Sequence, residues 1–306
     1  MMARTKTVLV TGSDGLIGRY LTRHYQRLGW SVDQVDLDYP GGALAFFADR
    51  TGRYDLIAHC AYRVGGRVVI DGEPMSLATN LQLDAAMFQY AVRTKARAVL
   101  YFSSSAAYPV SLQHGFFSHF ACEEEDINAH VHRLVESDVN LKRPSLPDAG
   151  YGWAKLTGER LAEAASAEGL RIHIFRPFSG YAHDQSLAYP FPSIIKRALE
   201  GDYSVWGPPG QTRDWIHLDD VVNAIQTIYE NDDRRPVNLC TGVGTEMGEL
   251  MNIAAGRDVD VEYDLNKPTG VMYRVGDPSR LFEHYHPRIS IEEGVNRAIQ
   301  WASSEA

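Results

Sequence analysis

The pentapeptide Tyr151-Gly-Trp-Ala-Lys155 sets a phenol and an ammonium four residues apart. On a helix that spacing puts both on one face. An unperturbed tyrosine titrates near pH ~10, so it is a poor base at neutrality. A neighbouring cation favours the phenolate, and the phenol can then move a proton to or from a substrate hydroxyl. A third group, a hydroxyl that orients the same substrate oxygen, is offered by Ser103-Ser-Ser105. Serines after a strand are often only turn formers. Of the three, Ser104 is assigned to catalysis and Ser105 to a substrate contact. A Tyr-x-x-x-Lys match alone is frequent by chance, so its weight depends on what must position it.

The element that would position a cofactor beside this pair lies near the start. Lys6-Thr-Val-Leu-Val-Thr-Gly-Ser-Asp-Gly-Leu-Ile-Gly-Arg-Tyr-Leu21 reads as strand, tight turn and helix, with glycines at 12, 15 and 18. A turn this tight needs a residue that accepts positive φ, and a backbone approaching a pyrophosphate cannot carry a Cβ. The helix aims its free N–H groups and positive dipole end at an anion over the turn. Gly12, Asp14, Gly15, Leu16, Ile17 and Gly18 are therefore the expected dinucleotide contacts. Trp30-Ser-Val-Asp-Gln-Val-Asp36 reads as a second strand ending in Asp36. A carboxylate there accepts the adenosine ribose hydroxyls and repels a 2′-phosphate, which favours NAD over NADP. A bound nicotinamide cation draws the Tyr151 phenol down further, and Lys155 can also bond the nicotinamide ribose.

Strand and helix signals go on alternating: helix 44–51, strand 55–60, helix 75–93, strand 98–102, helix 151–168 and strand 170–175. This predicts an α/β fold with a doubly wound parallel Rossmann sheet, with ligands beyond the carboxyl ends of the strands. The glycine turn, Asp36, a loop over 61–69, the serine cluster and Arg176 all fall at that edge. A long connection, 110–150, carries the acidic run Glu123-Glu-Glu-Asp126, a solvated face, and a possible helix over 127–135. After Arg176 helices over 193–200, 221–230, 246–255 and 291–303, with strands over 237–240 and 259–263, predict a smaller mixed α/β lobe. The expected division is a dinucleotide-binding domain over 1–176, with 214–240 returning to it, and a mainly substrate-binding lobe over 177–306. A cleft between them is the expected substrate site.

Together Thr11-Gly-x-x-Gly-x-x-Gly18, the serines before Tyr108-Pro109, Tyr151-x-x-x-Lys155, Arg176-Pro177 and Gln211-Thr-Arg-Asp-Trp-Ile-His-Leu-Asp-Asp220 resemble the extended short-chain dehydrogenase/reductase family, in its nucleotide-sugar epimerase and reductase branch. The likeness spans nearly the whole chain. It implies an orienting hydroxyl four residues before Tyr108, which is Ser104. It implies that Arg213 binds a diphosphate, against the plainer reading of an ion pair with Asp214, and that Asn80 lies near the nicotinamide. Ala61-Tyr-Arg-Val-Gly-Gly66 and Lys267-Pro-Thr-Gly270 with Asp277-Pro-Ser-Arg-Leu281 resemble the GDP-fucose synthase and GDP-mannose 3,5-epimerase group. That likeness implies a sugar pocket lined by Arg63 and a diphosphate approached by Lys267. A homodimer through helices 75–93 and 151–168 is implied on the same ground.

Departures from the pattern narrow the chemistry. Ala106 stands where the 3,5-epimerising enzymes carry an acid/base cysteine, Ser105-Ala106 where sugar 4,6-dehydratases carry Asp-Glu, and Ser179 where a substrate-contacting Asn is usual. His183 is the one candidate left for a base at ring carbon. Without one, the chemistry is hydride transfer with hydroxyl proton transfer. The reading is an NAD-dependent epimerase of a nucleotide diphosphate sugar at C4, through a 4-keto intermediate. The alternative is an NAD(P)-dependent 4-ketoreductase or dehydrogenase, and a third is a cofactor-sensing regulator without turnover.

Composition bounds the rest. The 306 residues carry a net charge of −9 and no basic tract, which argues against nucleic-acid or anionic-membrane partners. No apolar run approaches bilayer length, and the short one at 8–10 breaks too early for a signal peptide. Cys60, Cys122 and Cys240 are few and far apart, and the histidines lack ligand spacing. A cytoplasmic protein without a metal site is expected.

Overall fold

The computed structural model describes residues 4–36, 42–114 and 132–305. The first half runs β1 (Thr7–Thr11), α1 (Leu16–Arg27), β2 (Ser31–Val35), α2 (Gly42–Asp49), β3 (Leu56–His59), α3 (Arg67–Gly72), α4 (Ser76–Thr94), β4 (Val99–Phe102), α5 (Ala149–Ala167) and β5 (Ile172–Pro177). There follow β6 (Ser179–Tyr181), α6 (Pro190–Glu200), β7 (Ser204–Trp206), β8 (Thr212–His217), α7 (Leu218–Glu230), β9 (Val237–Leu239), β10 (Gly244–Glu246), α8 (Met247–Ala255), β11 (Glu262–Asp264), β12 (Tyr273–Arg274), α9 (Ser279–Phe282) and α10 (Ile291–Glu305).

A parallel sheet in the order β2-β1-β3-β4-β5-β9 forms the centre, as expected. Successive strand residues face opposite sides. Val8, Val10, Leu100 and Phe102 therefore join one core with α1 and α7, while Leu9, Val99 and Tyr101 join another with α4 and α5. Both faces are covered, which explains why these strands read as near-continuous apolar runs. The chain lays β2 on one side of β1 and β3 on the other, so the order reverses there and opens a crevice at the carboxyl ends.

The remaining strands form smaller sheets. β8 pairs with β6, β10 and β12, and β7 pairs with β11. A third core of Phe191, Ile194, Trp215, Leu250, Met251 and Val295 lies among them. Of residues 214–240, α7 and β9 pack with the large sheet, while the end of β8 belongs to the small one.

Two expectations change. The 61–69 loop ends in helix α3, which begins at Arg67. The described part of the helix expected over 127–135 is extended: Leu134 bridges Gly276 and donates its N–H to Val275 O at 2.9 Å. The Glu123–Asp126 acids and Cys122 lie outside the described residues. The two described cysteines, Cys60 and Cys240, are free thiols. Among the described residues no helix is long and apolar enough to cross a membrane.

The glycine turn can be tested directly. Gly12 has φ +67°, its N–H donates to Val35 O at 2.7 Å, and an added Cβ would lie 2.6 Å from the backbone of Cys60 and Ala61. Gly12→Ala combines left-handed strain with a backbone clash and is expected to cost about 3 kcal/mol or more in urea unfolding. A variant within about 0.5 kcal/mol of the parent, an ordinary surface effect, would contradict this account of the turn.

Candidate functional site

Tyr151 lies in the first turn of α5, whose start is fixed against the serine turn. Asp148 donates its N–H to Ala106 O at 2.9 Å, and a Cβ on Gly152 would run into that same carbonyl. This contact sets the Ser104 hydroxyl beside the Tyr151 phenol, close enough to lower the phenol's pKa. Ser104 Oγ also accepts the Ala106 N–H at 3.1 Å, capping the short 3₁₀ turn over 105–107. Ser105 opens that turn and is buried. Burial pushes the phenol of Tyr151 up, and Ser104 and the Arg274 cation pull the other way. At rest the phenol is therefore protonated, opposite to the lowering expected from Lys155 alone.

Lys155 sits one turn further and is only 4 % exposed. Its ammonium donates to Phe102 O at 2.7 Å, stands 3.1 Å from the centre of the Tyr62 ring and 5.7 Å from that of Tyr151. Burial lowers it to about 8, against the pull of Asp84, Cys60 and Glu159. Asp84, on α4, is fully buried. It accepts the Tyr101 hydroxyl at 2.7 Å and the Tyr62 hydroxyl at 3.0 Å, and lies 3.1 Å from His59 Nε2. His59 Nδ1 in turn lies 2.8 Å from Thr11 Oγ1. This buried chain ties the ends of β1, β3 and β4 to α4 directly beneath Lys155.

The glycine turn forms a cradle. A Cβ on Gly18 would collide with Gly12 O, whereas one on Gly15 would meet only that oxygen, at 3.1 Å, and otherwise open space. Gly15 caps α1 without a side-chain bond, so the first-turn N–H groups face outward. Leu16 and Ile17 pack against the core and offer backbone only. Asp14 is exposed and gives its N–H to Asp36 Oδ2 at 2.7 Å, which sets the Asp36 carboxylate beside the turn. This open glycine face and adjacent carboxylate fit the pyrophosphate and adenosine ribose of NAD.

Other expected residues fall in different places. Asn80 is buried and uses both ends of its amide on Arg63, accepting its N–H at 2.7 Å and donating to its carbonyl at 3.0 Å, so it fixes the loop after β3. The Arg63 side chain turns to solvent and pairs with Glu73 at 3.1 Å. Ser179 opens β6 opposite Trp215. Lys267 is exposed, 5.3 Å from the centre of the Trp206 ring. His183 packs against Trp301, with ring centres 5.6 Å apart. Arg176 is a structural cation, 2 % exposed and bidentate with Glu159 at 2.8 and 2.7 Å.

Arg213 differs. Its guanidinium donates to Thr212 O at 2.8 Å and, among the described residues, has no carboxylate within ion-pair distance. Asp214, its plainer partner, instead accepts Thr241 N–H and hydroxyl, both at 2.7 Å, and Gly242 N–H at 2.9 Å. Burial, then Arg274 and Arg67, lower Arg213 to about 9. Arg274 and Arg67 share Asp148, at 2.8 and 2.7 Å. Neither was found from sequence. Both flank quoted stretches, Arg67 directly after Gly66 and Arg274 three residues before Asp277, but only the folded chain joins them. Arg67 also pairs with Asp71 at 2.9 Å, so three guanidinium groups stand against two carboxylates, and Arg274 is near enough to Tyr151 to lower its pKa. Among the described residues one group has metal-ligand spacing, Asp233, Glu283 and His284. There Arg235 binds Asp233 and Glu283, each at 2.6 Å.

Residues 8–240 match the profile of the NAD dependent epimerase/dehydratase family. The chain is 24 % identical over 321 residues to probable GDP-L-fucose synthase 1 of Oryza sativa subsp. japonica, covering 96 % of this chain and 91 % of that protein. The UDP-glucose 4-epimerase of Thermotoga maritima, solved with UDP-glucose, is 20 % identical and superposes with a TM-score of 0.80 over 98 % of this chain and 99 % of that one. The Thermus thermophilus UDP-glucose 4-epimerase, solved with NAD, is 19 % identical with a TM-score of 0.78 over 98 % and 100 %.

Lys155 gives a stability test with a defined sign. Unfolded, this lysine keeps its proton to 10.5; folded, only to about 8. Between those values the unfolded state binds more protons, so the parent protein gains stability as pH rises. Lys155→Met is expected to be more stable by about 1–3 kcal/mol at pH ~7, less what the lost bond to Phe102 costs. Urea unfolding should show this advantage shrinking as pH approaches ~10.

Proposed function

The chain belongs to the NAD dependent epimerase/dehydratase family, and from that premise we propose that it epimerises a nucleotide diphosphate sugar at C4 through a 4-keto sugar. The observation that carries this reading is the Ser104 hydroxyl beside the Tyr151 phenol, next to a cluster in which Arg213, Arg274 and Arg67 outnumber the Asp148 and Asp71 carboxylates. NAD, held by the glycine turn and Asp36, supplies a hydride acceptor and donor, and its cationic ring favours the Tyr151 phenolate. Ser104 holds the reacting sugar oxygen, Tyr151 takes its proton and returns it, and Lys155 stabilises the phenolate. Arg213 and Arg274, with Arg67 behind Asp148, bind the diphosphate. At the position of a ring-carbon acid/base stands the buried methyl of Ala106, and His183 is occupied by Trp301. That supports chemistry confined to the carbinol carbon. Relatives named GDP-L-fucose synthase favour a second reading, net reduction of a 4-keto sugar.

Purified protein incubated with UDP- and GDP-linked hexoses and NAD is expected to form a C4 epimer, followed by NMR of the sugar, with no net change in NADH absorbance. Stoichiometric NADH change would establish the second reading, and no conversion of any sugar would leave a regulator. Tyr151→Phe should lower kcat about 10²–10⁴-fold, the usual yield of general acid–base catalysis. For the cofactor, Asp36→Ala should raise the KM for NAD and admit NADP, because the repelling carboxylate is gone.

A further inference from the structure

Tyr62 is the side chain on which the two chemical groups of the site converge. It follows β3 in a stretch expected to line the sugar pocket, yet it turns inward while Arg63 beside it turns to solvent. One face of its ring lies 3.1 Å from the Lys155 ammonium. The same ring stands perpendicular to that of Tyr151, at 87°, with centres 5.9 Å apart. Its hydroxyl donates to Asp84 at 3.0 Å.

These contacts form an ordered electrostatic series. The buried Asp84 carboxylate, also held by Tyr101 and His59, anchors the Tyr62 hydroxyl and polarises it. The electron-rich face beyond that hydroxyl then meets a cation that is nearly out of water, the setting in which cation–π attraction is strongest. The backbone keeps Tyr62 in place: Asn80 clamps the next residue, and a Cβ on Gly66 would collide with Ala188 O. A phenol that merely filled space would need neither the carboxylate nor the cation.

We propose that Tyr62 is a positioning residue for the Tyr151–Lys155 pair, holding the ammonium against its face and the Tyr151 ring at a right angle while Asp84 anchors its hydroxyl. The part of this that concerns catalysis rests on the function proposed above; the hold on Lys155 does not.

The test uses the full chain with lysine-specific ¹³C labelling. Lys155 is one of six lysines, and its signal is assigned by its absence in Lys155→Met. In the parent protein its titration midpoint is expected near 8, and Tyr62→Leu should move it down by about one pH unit or more, because the aromatic face that favours the charged form is gone while the site stays apolar. Tyr62→Phe keeps the ring face and should restore the midpoint to within about half a unit of the parent. Turnover of the sugar identified by the conversion assay should follow: kcat falls at least about tenfold in Tyr62→Leu with KM little changed, and recovers in Tyr62→Phe. An unmoved midpoint in folded Tyr62→Leu overturns the proposal. If Tyr62→Leu does not fold, a Tyr62→Phe midpoint displaced by a full unit does the same, and a retained one supports it. A shifted midpoint in a protein that converts no sugar supports the hold on Lys155 while refuting the proposed function.

Discussion

The site depends on keeping one ammonium out of water. Lys155 is nearly sealed, and an unpaired cation in that position would be expensive. Three separate elements offset part of the cost. β4 contributes the Phe102 carbonyl, the loop after β3 the Tyr62 ring, and α4 the Asp84 carboxylate, while α5 carries the lysine itself. Because these groups reach Lys155 only when β3, β4, α4 and α5 are in register, the charge also checks the packing of the carboxyl edge. The glycine turn joins the same arrangement through Thr11, whose hydroxyl meets His59, the next partner of Asp84.

A second charge system acts on the other side of the same helix turn. Asp148 begins α5 and is bound by Arg67 from α3 and Arg274 from β12. Ala149, directly after it, has φ 55°, a left-handed conformation that a non-glycine residue adopts only when its surroundings enforce it. The first turn of α5, with Tyr151 in it, is thus fixed from the large sheet by the serine turn and from the small sheet by Arg274. On the proposed function, a ligand anion that engages these arginines would act on groups already tied to Tyr151, which is how remote binding can serve chemistry.

What could be read from the sequence follows the range of the interactions. The glycine turn, Asp36, the Tyr-x-x-x-Lys spacing and the alternation of strands and helices are local patterns, and the sheet formed as they implied. Short strands such as β6, β10 and β12 were missed because two or three residues carry no periodicity. α3 was missed because Gly65 and Gly66 mask the start of a helix only six residues long. Tyr62, Asp84, Arg67 and Arg274 have no local signature at all. Their roles come from contacts across 17 to 126 positions of sequence. For Asn80 and Arg63 position along the chain was informative but direction was not: one amide faces the backbone and one guanidinium faces solvent.

Direction and pairing also separate two arginines that look alike in sequence. Both lie in strands, Arg176 near the end of β5 and Arg213 near the start of β8. Arg176 meets Glu159 through two parallel bonds, with Ser103 completing the carboxylate at 2.5 Å and Tyr108 and Glu136 O taking its third nitrogen. Every charge there is answered within the fold, and the group braces the serine turn from behind. Arg213 is enclosed without such an answer; backbone carbonyls take its protons, and two further guanidiniums stand nearby. A buried ion pair neutralised internally contributes little net energy and serves register. A guanidinium enclosed among like charges raises the energy of the ligand-free state, and an anion relieves that repulsion on binding. By charge balance Arg176 is answered within the fold, whereas Arg213 is left with backbone carbonyls and neighbouring cations.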